Sequence, residues 1–115
     1  INSNLRPTIV ENFINSVSLE GYFIVIDKIT GNIIKVTDVF NNFKPKKRKQ
    51  ILPTGFIVGL KNIYLSTNIG SLLVIDIKSG KTISTLKIDK DKISRPFVSN
   101  QNLYLAKDNA IIKLN

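Results

Sequence analysis

With 115 residues, 43% of them hydrophobic, the chain is long enough for one domain with a buried core and is not expected to be disordered. Cys, His, Met and Trp are all absent, which removes disulfides and thiolate metal sites and argues against zinc, copper, haem and a Ser-His-Asp triad. The net charge of +9 suits nucleic acid, anionic lipid or acidic protein, but Ile, Asn and Lys dominate, and A/T-rich codons can supply much of that charge.

No segment of three turns carries apolar residues at helical spacing, whereas short β-rich runs alternate with turn residues throughout. Strands are expected at 5–10 (LRPTIV), 13–19 (FINSVSL), 22–27 (YFIVID) and 32–40 (NIIKVTDVF), followed by a polar, basic loop. A second set follows at 53–58 (PTGFIV), 62–67 (NIYLST), 71–76 (SLLVID) and 81–88 (KTISTLKI). A third begins at 95–99 (RPFVS), 102–106 (NLYLA) and 110–115 (AIIKLN), one strand short of the others. No run approaches the ~18 to 20 apolar residues of a membrane helix. No charged-then-apolar signal segment stands before Ile1, so the chain is expected to be processed or cut from something longer.

The sets are copies. Pro7, Pro53 and Pro96 lead each unit, at spacings of 46 and 43 residues, and Asp27 and Gly31 match Asp76 and Gly80 at an offset of 49. Asn115 falls where a third such Asp would stand. A period near 45 residues with four short strands per unit is the mark of a propeller blade; leucine-rich repeats are shorter and helical repeats need helices. The expected fold is therefore all-β, built of four-stranded antiparallel meanders, about 2.75 blades of a partial β-propeller. Blade 1 is expected at 5–40, a basic inter-blade loop at 41–50, blade 2 at 51–88 and an incomplete blade 3 at 93–115.

In the turns DKITG and DIKSG, Asp27 and Asp76 are expected to accept hydrogen bonds from the turn's own amides, while Gly31 and Gly80 supply a positive φ. These are structural roles. The same residues carry a resemblance. GYFIVIDKITGNIIKV (21–36) and GSLLVIDIKSGKTISTL (70–86) resemble the repeat of the PQQ-like, quinoprotein-type β-propellers, roughly G-x-L-x-A-L-D-x-x-T-G-K. ISRPFVSNQNLYLAKDNAIIKLN looks like the C-terminal end of the BamB family of outer-membrane protein assembly factors. Quinoprotein dehydrogenases place a Trp after the T-G-K segment to dock one blade on the next. Here Ile34 or Val36, and Ile83 or Leu86, stand in that region, so aliphatic docking is expected. None of the PQQ and calcium ligands of the dehydrogenases maps onto this chain, and the resemblance implies no bound cofactor.

A ring needs ~4 to 8 blades, so the incomplete count leaves three arrangements open. The chain is expected to be the C-terminal piece of a larger propeller. Two chains could instead pair to give about six blades, or the short array could stand alone with a covered edge. An isolated piece is expected to form oligomers through its exposed faces.

The main feature outside the repeat is NFKPKKRKQ (42–50), where Lys44, Lys46, Lys47, Arg48 and Lys49 crowd one segment. Its first explanation is a solvated inter-blade loop of a Lys-rich protein; a run of this density can also bind an acidic partner, phosphates or lipid headgroups, and it resembles a nuclear-localisation run. The interleaved aromatics of a nucleic-acid stacking platform are lacking, although Phe40 and Phe43 flank the run. Asp89 and Asp91 sit among lysines and read as a polar turn rather than a calcium site. Tyr22, Phe23, Tyr64, Phe97 and Tyr104 are expected to pack within and between blades. No catalytic, metal or cofactor site is expected. The resemblance implies a non-catalytic scaffold for other proteins, the β-barrel assembly machinery above all, at the periplasmic face of the outer membrane. The remaining blades or a second copy are expected as further partners, with only peripheral membrane contact and no specific nucleic acid. The alternatives are a fragment of a PQQ-dependent dehydrogenase or of a solute- or polysaccharide-binding propeller.

Overall fold

The computed structural model describes residues 5–90, 93–107 and 110–114. Eleven strands and one short helix are present among them. Strands β1 (Thr8–Val10), β2 (Phe13–Val17), β3 (Tyr22–Asp27) and β4 (Ile33–Asp38) form one antiparallel sheet in chain order. The helix α1 (Pro45–Arg48) follows. Strands β5 (Pro53–Val58), β6 (Asn62–Thr67), β7 (Ser71–Asp76) and β8 (Thr82–Lys87) repeat the meander. Strands β9 (Phe97–Ser99), β10 (Asn102–Lys107) and β11 (Ala110–Lys113) make a third, three-stranded sheet. The expected turn at Asp108-Asn109, together with Asp91, Lys92 and Asn115, lies outside the described residues.

Three of the four prolines stand where a strand opens and no ladder donor is needed: Pro53 begins β5, while Pro7 and Pro96 directly precede β1 and β9. The strands end where side chains take over backbone donors. The expected 13–19 strand stops at Val17, because Ser18 Oγ accepts the Tyr22 amide at 3.2 Å. The expected 32–40 strand stops at Asp38, whose Oδ1 accepts the Phe40 amide at 3.1 Å.

The two complete sheets repeat down to their irregularities. The β3–β4 register shifts between Val25 and Ile26, and the β7–β8 register shifts between Val74 and Ile75. The turn that follows is built alike in both. Asp27 Oδ1 accepts the amides of Ile29 at 2.8 Å and Thr30 at 3.2 Å, and Asp76 Oδ2 accepts the Ser79 amide at 3.1 Å and its hydroxyl at 2.7 Å. Thr30 and Ser79 pass the pattern on by accepting the amides of Asn32 and Lys81, each at 3.2 Å. Gly31 and Gly80 close the turns at φ +76° and +73°.

Packing runs between the sheets. Val17 and Phe23 of the first join Phe56, Ile63, Leu65, Leu73 and Ile75 of the second in one buried cluster. The Phe23 and Phe56 rings meet edge to face, centroids 6.5 Å apart. A smaller cluster of Leu72, Ile93 and Leu105, backed by Tyr64, Ile88 and Leu114, joins the second sheet to the third. Thr54 Oγ1 donates to the Ile93 carbonyl at 2.6 Å, and Arg95 Nε donates to the Phe56 carbonyl at 3.2 Å, across the same junction.

The expected aliphatic docking at Ile34 or Val36 and at Ile83 or Leu86 is not what the structure uses. These side chains are 53%, 56%, 60% and 38% exposed. Register explains it. Ile34 and Ile83 are the extra residues at the two register shifts, so neither stands in the pleat. Val36 lies opposite Ile24, on the face turned away from the second sheet, whereas Thr37 lies opposite Phe23 on the packed face. Leu86 lies opposite buried Leu72 but stays half open. Phe23 and Phe56 meet at the first junction, while the second is largely aliphatic, built from Leu72, Ile93 and Leu105.

Two outcomes test the turn. Gly31→Ala should cost about 1–2 kcal/mol in urea denaturation, from the strained φ alone. Gly80→Ala should cost more, because its Cβ would meet Thr37 Cγ2 of the neighbouring sheet at 2.7 Å, whereas nothing lies within 4 Å of a Cβ at Gly31. The Ser79 hydroxyl and amide hold the Asp76 carboxyl below its ordinary 3.8. A lowered folded pKa contributes stability above the unfolded value and loses it as pH falls through the folded one. Asp76→Asn should therefore lower the melting temperature at neutral pH, and the gap should close on acidification below 3.8.

Candidate partner-binding site

The basic segment is held at both ends by buried side chains. Val39 and Phe40 are fully buried just after β4, and Ile51 is buried just before β5. Phe40 lies so close over Gly21 that a Cβ there would meet its ring at 2.2 Å. Phe43 packs edge to face on Phe40, centroids 5.8 Å apart. At the far end the Asn68 side chain clamps the chain twice. Its Nδ2 donates to the Gln50 carbonyl at 3.0 Å, and its Oδ1 accepts the Leu52 amide at 2.8 Å.

Between these anchors the segment is not the open loop that its composition suggests. Pro45 begins a single helical turn after an extended Lys44 (φ −67°, ψ 151°). Pro favours a first helical position because its ring presets φ and no N–H is missed there. The Arg48 amide donates to the Lys44 carbonyl at 2.9 Å and the Gln50 amide to the Lys47 carbonyl at 3.0 Å.

Arg48 pins this turn to the first sheet. Its Nη1 and Nη2 donate to Asp38 Oδ2 at 2.8 Å and Oδ1 at 2.6 Å, and Nη2 also reaches the Glu20 carbonyl at 3.4 Å. The guanidinium lies 5.4 Å from the centroid of the Tyr22 ring, within cation–π range, while its fork on Asp38 is a geometry that a lysine could not reproduce. The Asp38 hydrogen bonds raise the Arg48 pKa above its ordinary value, against the opposing pull of desolvation. Tyr22, expected to pack in a blade, thus serves as the floor for this cation.

Arg48 is therefore set apart from the lysines of its run. Lys44, Lys46, Lys47 and Lys49 are exposed, and among the described residues no carboxylate lies within ion-pair distance of any of them. Lys47 Nζ lies 5.8 Å from the Phe43 ring centroid. Beside the turn opens a cleft of about 440 Å3 lined by Leu19, Glu20, Pro45, Arg48, Lys49, Ile51 and Leu52. The sequence reading did not find Asp38, Tyr22 or this cleft; Pro45 was the one local signal for a helical turn.

The other singled-out residues lie elsewhere. Asp27 and Gly31 stand at the end of the first sheet opposite the Tyr22–Asp38 pair. Asp76 and Gly80 form a turn against β4, with Asn41 Nδ2 donating to the Gly80 carbonyl at 3.0 Å. Among the described residues no cluster of three metal-ligating side chains is found.

No family model and no curated protein sequence matches the chain. Solved structures do. BamB from Moraxella catarrhalis is similar with a TM-score of 0.65 at 16% identity, over 94% of this chain and 30% of that one. The Cps50 (Swd1) β-propeller domain of Myceliophthora thermophila matches with a TM-score of 0.65 at 14% identity, over 84% of this chain and 32% of that one. Quinohemoprotein alcohol dehydrogenase from Comamonas testosteroni matches with a TM-score of 0.61 at 16% identity, over 88% of this chain and 16% of that one. The chain spans about a third or less of each. These likenesses show the β-propeller fold, and the three sheets are its blades.

Arg48→Lys should remove the fork on Asp38. The expected result is a loss of about 1 kcal/mol, typical of a partly exposed bidentate pair, with faster amide exchange confined to 45–51. Asp38→Asn should give the same local pattern by hydrogen exchange.

Proposed function

We propose that the chain is part of a non-catalytic β-propeller scaffold that holds protein partners, with a BamB-like role in outer-membrane protein assembly at the periplasmic face of the outer membrane. The observation that carries this reading is the pinned basic turn: four exposed lysines presented on a segment anchored to two packed blades. Rigid folds place recognition on such connecting segments, where loop chemistry varies without disturbing the core. The BamB-like detail rests on the resemblance of ISRPFVSNQNLYLAKDNAIIKLN to the C-terminal end of that family and on the fold shared with BamB. The partners in this reading are the β-barrel assembly machinery and, on the outward blade faces, the remaining blades or a second copy. Ile9 and Val36 are exposed on blade 1's outward face, and a ring of ~4 to 8 blades would cover such a surface.

A propeller enzyme is the second reading, favoured by the likeness to the quinohemoprotein dehydrogenase. The two readings separate in the cell that makes the protein. Tagged protein extracted under mild conditions should bring down a membrane β-barrel assembly complex; its absence would sink the assembly role. Added PQQ and calcium should leave the melting temperature unchanged, and a rise with ligand concentration would favour the enzyme.

A further inference from the structure

We infer that the cleft beside α1 receives one aliphatic side chain of an acidic peptide segment, whose carboxylates pair with Lys46 and Lys49; this rests on the protein-scaffold reading above and names the surface that does the holding. Three features of the cleft select this occupant. Its walls are apolar: Leu19, Pro45, Ile51 and Leu52 line a volume of about 440 Å3, and Leu52 is 45% exposed without a covering side chain. One lip is cationic. Lys49 lines the cleft, and Lys46 stands three residues before it on the same helical face. Neither has a carboxylate within ion-pair distance among the described residues, whereas Arg48, also on the wall, is neutralised by Asp38. Glu20 also lines the cleft. A polyphosphate backbone spreads its charge evenly and would meet that carboxylate, while a peptide can place its acids at the lysines and an apolar side chain against the walls. No aromatic ring lines the cleft for base stacking.

A second cleft, lined by Val10, Phe13, Val25, Val58 and Leu60, is as apolar but has no charged lining residue to select a partner. Charge beside apolar surface is what distinguishes the first. Lysines alone would give salt-sensitive attraction to any polyanion. The adjoining pocket adds a requirement for a side chain of the right shape.

The test uses two fluorescein-labelled acidic heptapeptides, identical except for a central Leu in one and a central Ser in the other, titrated with the protein and followed by anisotropy. The Leu peptide should bind about tenfold tighter, from burial of one aliphatic side chain. Leu52→Ser should bring the two affinities together. Its fold should survive, because the Leu52 backbone amide, not its side chain, makes the Asn68 bond. Lys46→Gln with Lys49→Gln should weaken both peptides and flatten their salt dependence. Equal binding of the two peptides to the unaltered protein overturns the inference. So does tighter binding of a single-stranded oligonucleotide or of phosphatidylglycerol vesicles that Leu52→Ser leaves unchanged. The scaffold reading fails separately. If the peptides are discriminated but no assembly complex co-purifies, the cleft stands and the assembly role falls. If the complex co-purifies undiminished with Leu52→Ser, the scaffold stands and the cleft is not its contact.

Discussion

Each complete sheet of this chain has apolar side chains on both faces, so neither can bury its own core. Phe23 and Leu73 show the constraint. They stand near the middle of corresponding strands, yet they belong to one buried cluster because the packed face of blade 1 meets the facing side of blade 2. The cluster contains the edge-to-face contact of Phe23 and Phe56, which with Phe40 are its largest side chains. Repeat proteins of this kind gain stability at interfaces between units as much as within them. The outward face of blade 1 has the same construction without a facing sheet, which is why Ile9 and Val36 remain open.

The inter-blade packing also explains how a highly charged segment is ordered. Phe40 and Ile51 are buried, and they fix the ends of the run between β4 and β5. Given fixed ends, one turn of helix and one ion pair define what lies between. Arg48 is consumed by that task, lying on Tyr22 and forked on Asp38. The lysines remain available because Asp38 is already taken by a group with a better geometric match. A sequence count of five basic residues thus resolves into one structural cation and four exposed ones.

Much of the fold was legible in the sequence because it is written in local chemistry. Asp27, Thr30 and Gly31 recur as Asp76, Ser79 and Gly80, and the Asp, Thr and Ser side chains make their turn bonds within five residues of chain. Alternating apolar runs marked every strand to within a few residues, and prolines marked where strands open. The errors have one cause. Ile34 and Ile83 looked like docking residues by their place in the repeat, but an extra residue in the outer strand removes them from the pleat. Tyr22 looked like core, but its side chain points to the face that carries Arg48.

By itself, then, the sequence determined the repeat, the all-β meanders, the turns and the place of the basic run, since these depend on residues close together in the chain. Only the tertiary structure decided which faces meet, that Phe23 and Phe56 touch at the first junction, that Arg48 reaches back ten residues to Asp38, and that Leu19, Ile51 and Leu52 line a cleft beside Lys49. Those relations depend on register and on how one sheet lies against the next. A one-residue shift in pairing reverses the face of every side chain beyond it, and no spacing rule in the sequence records such a shift.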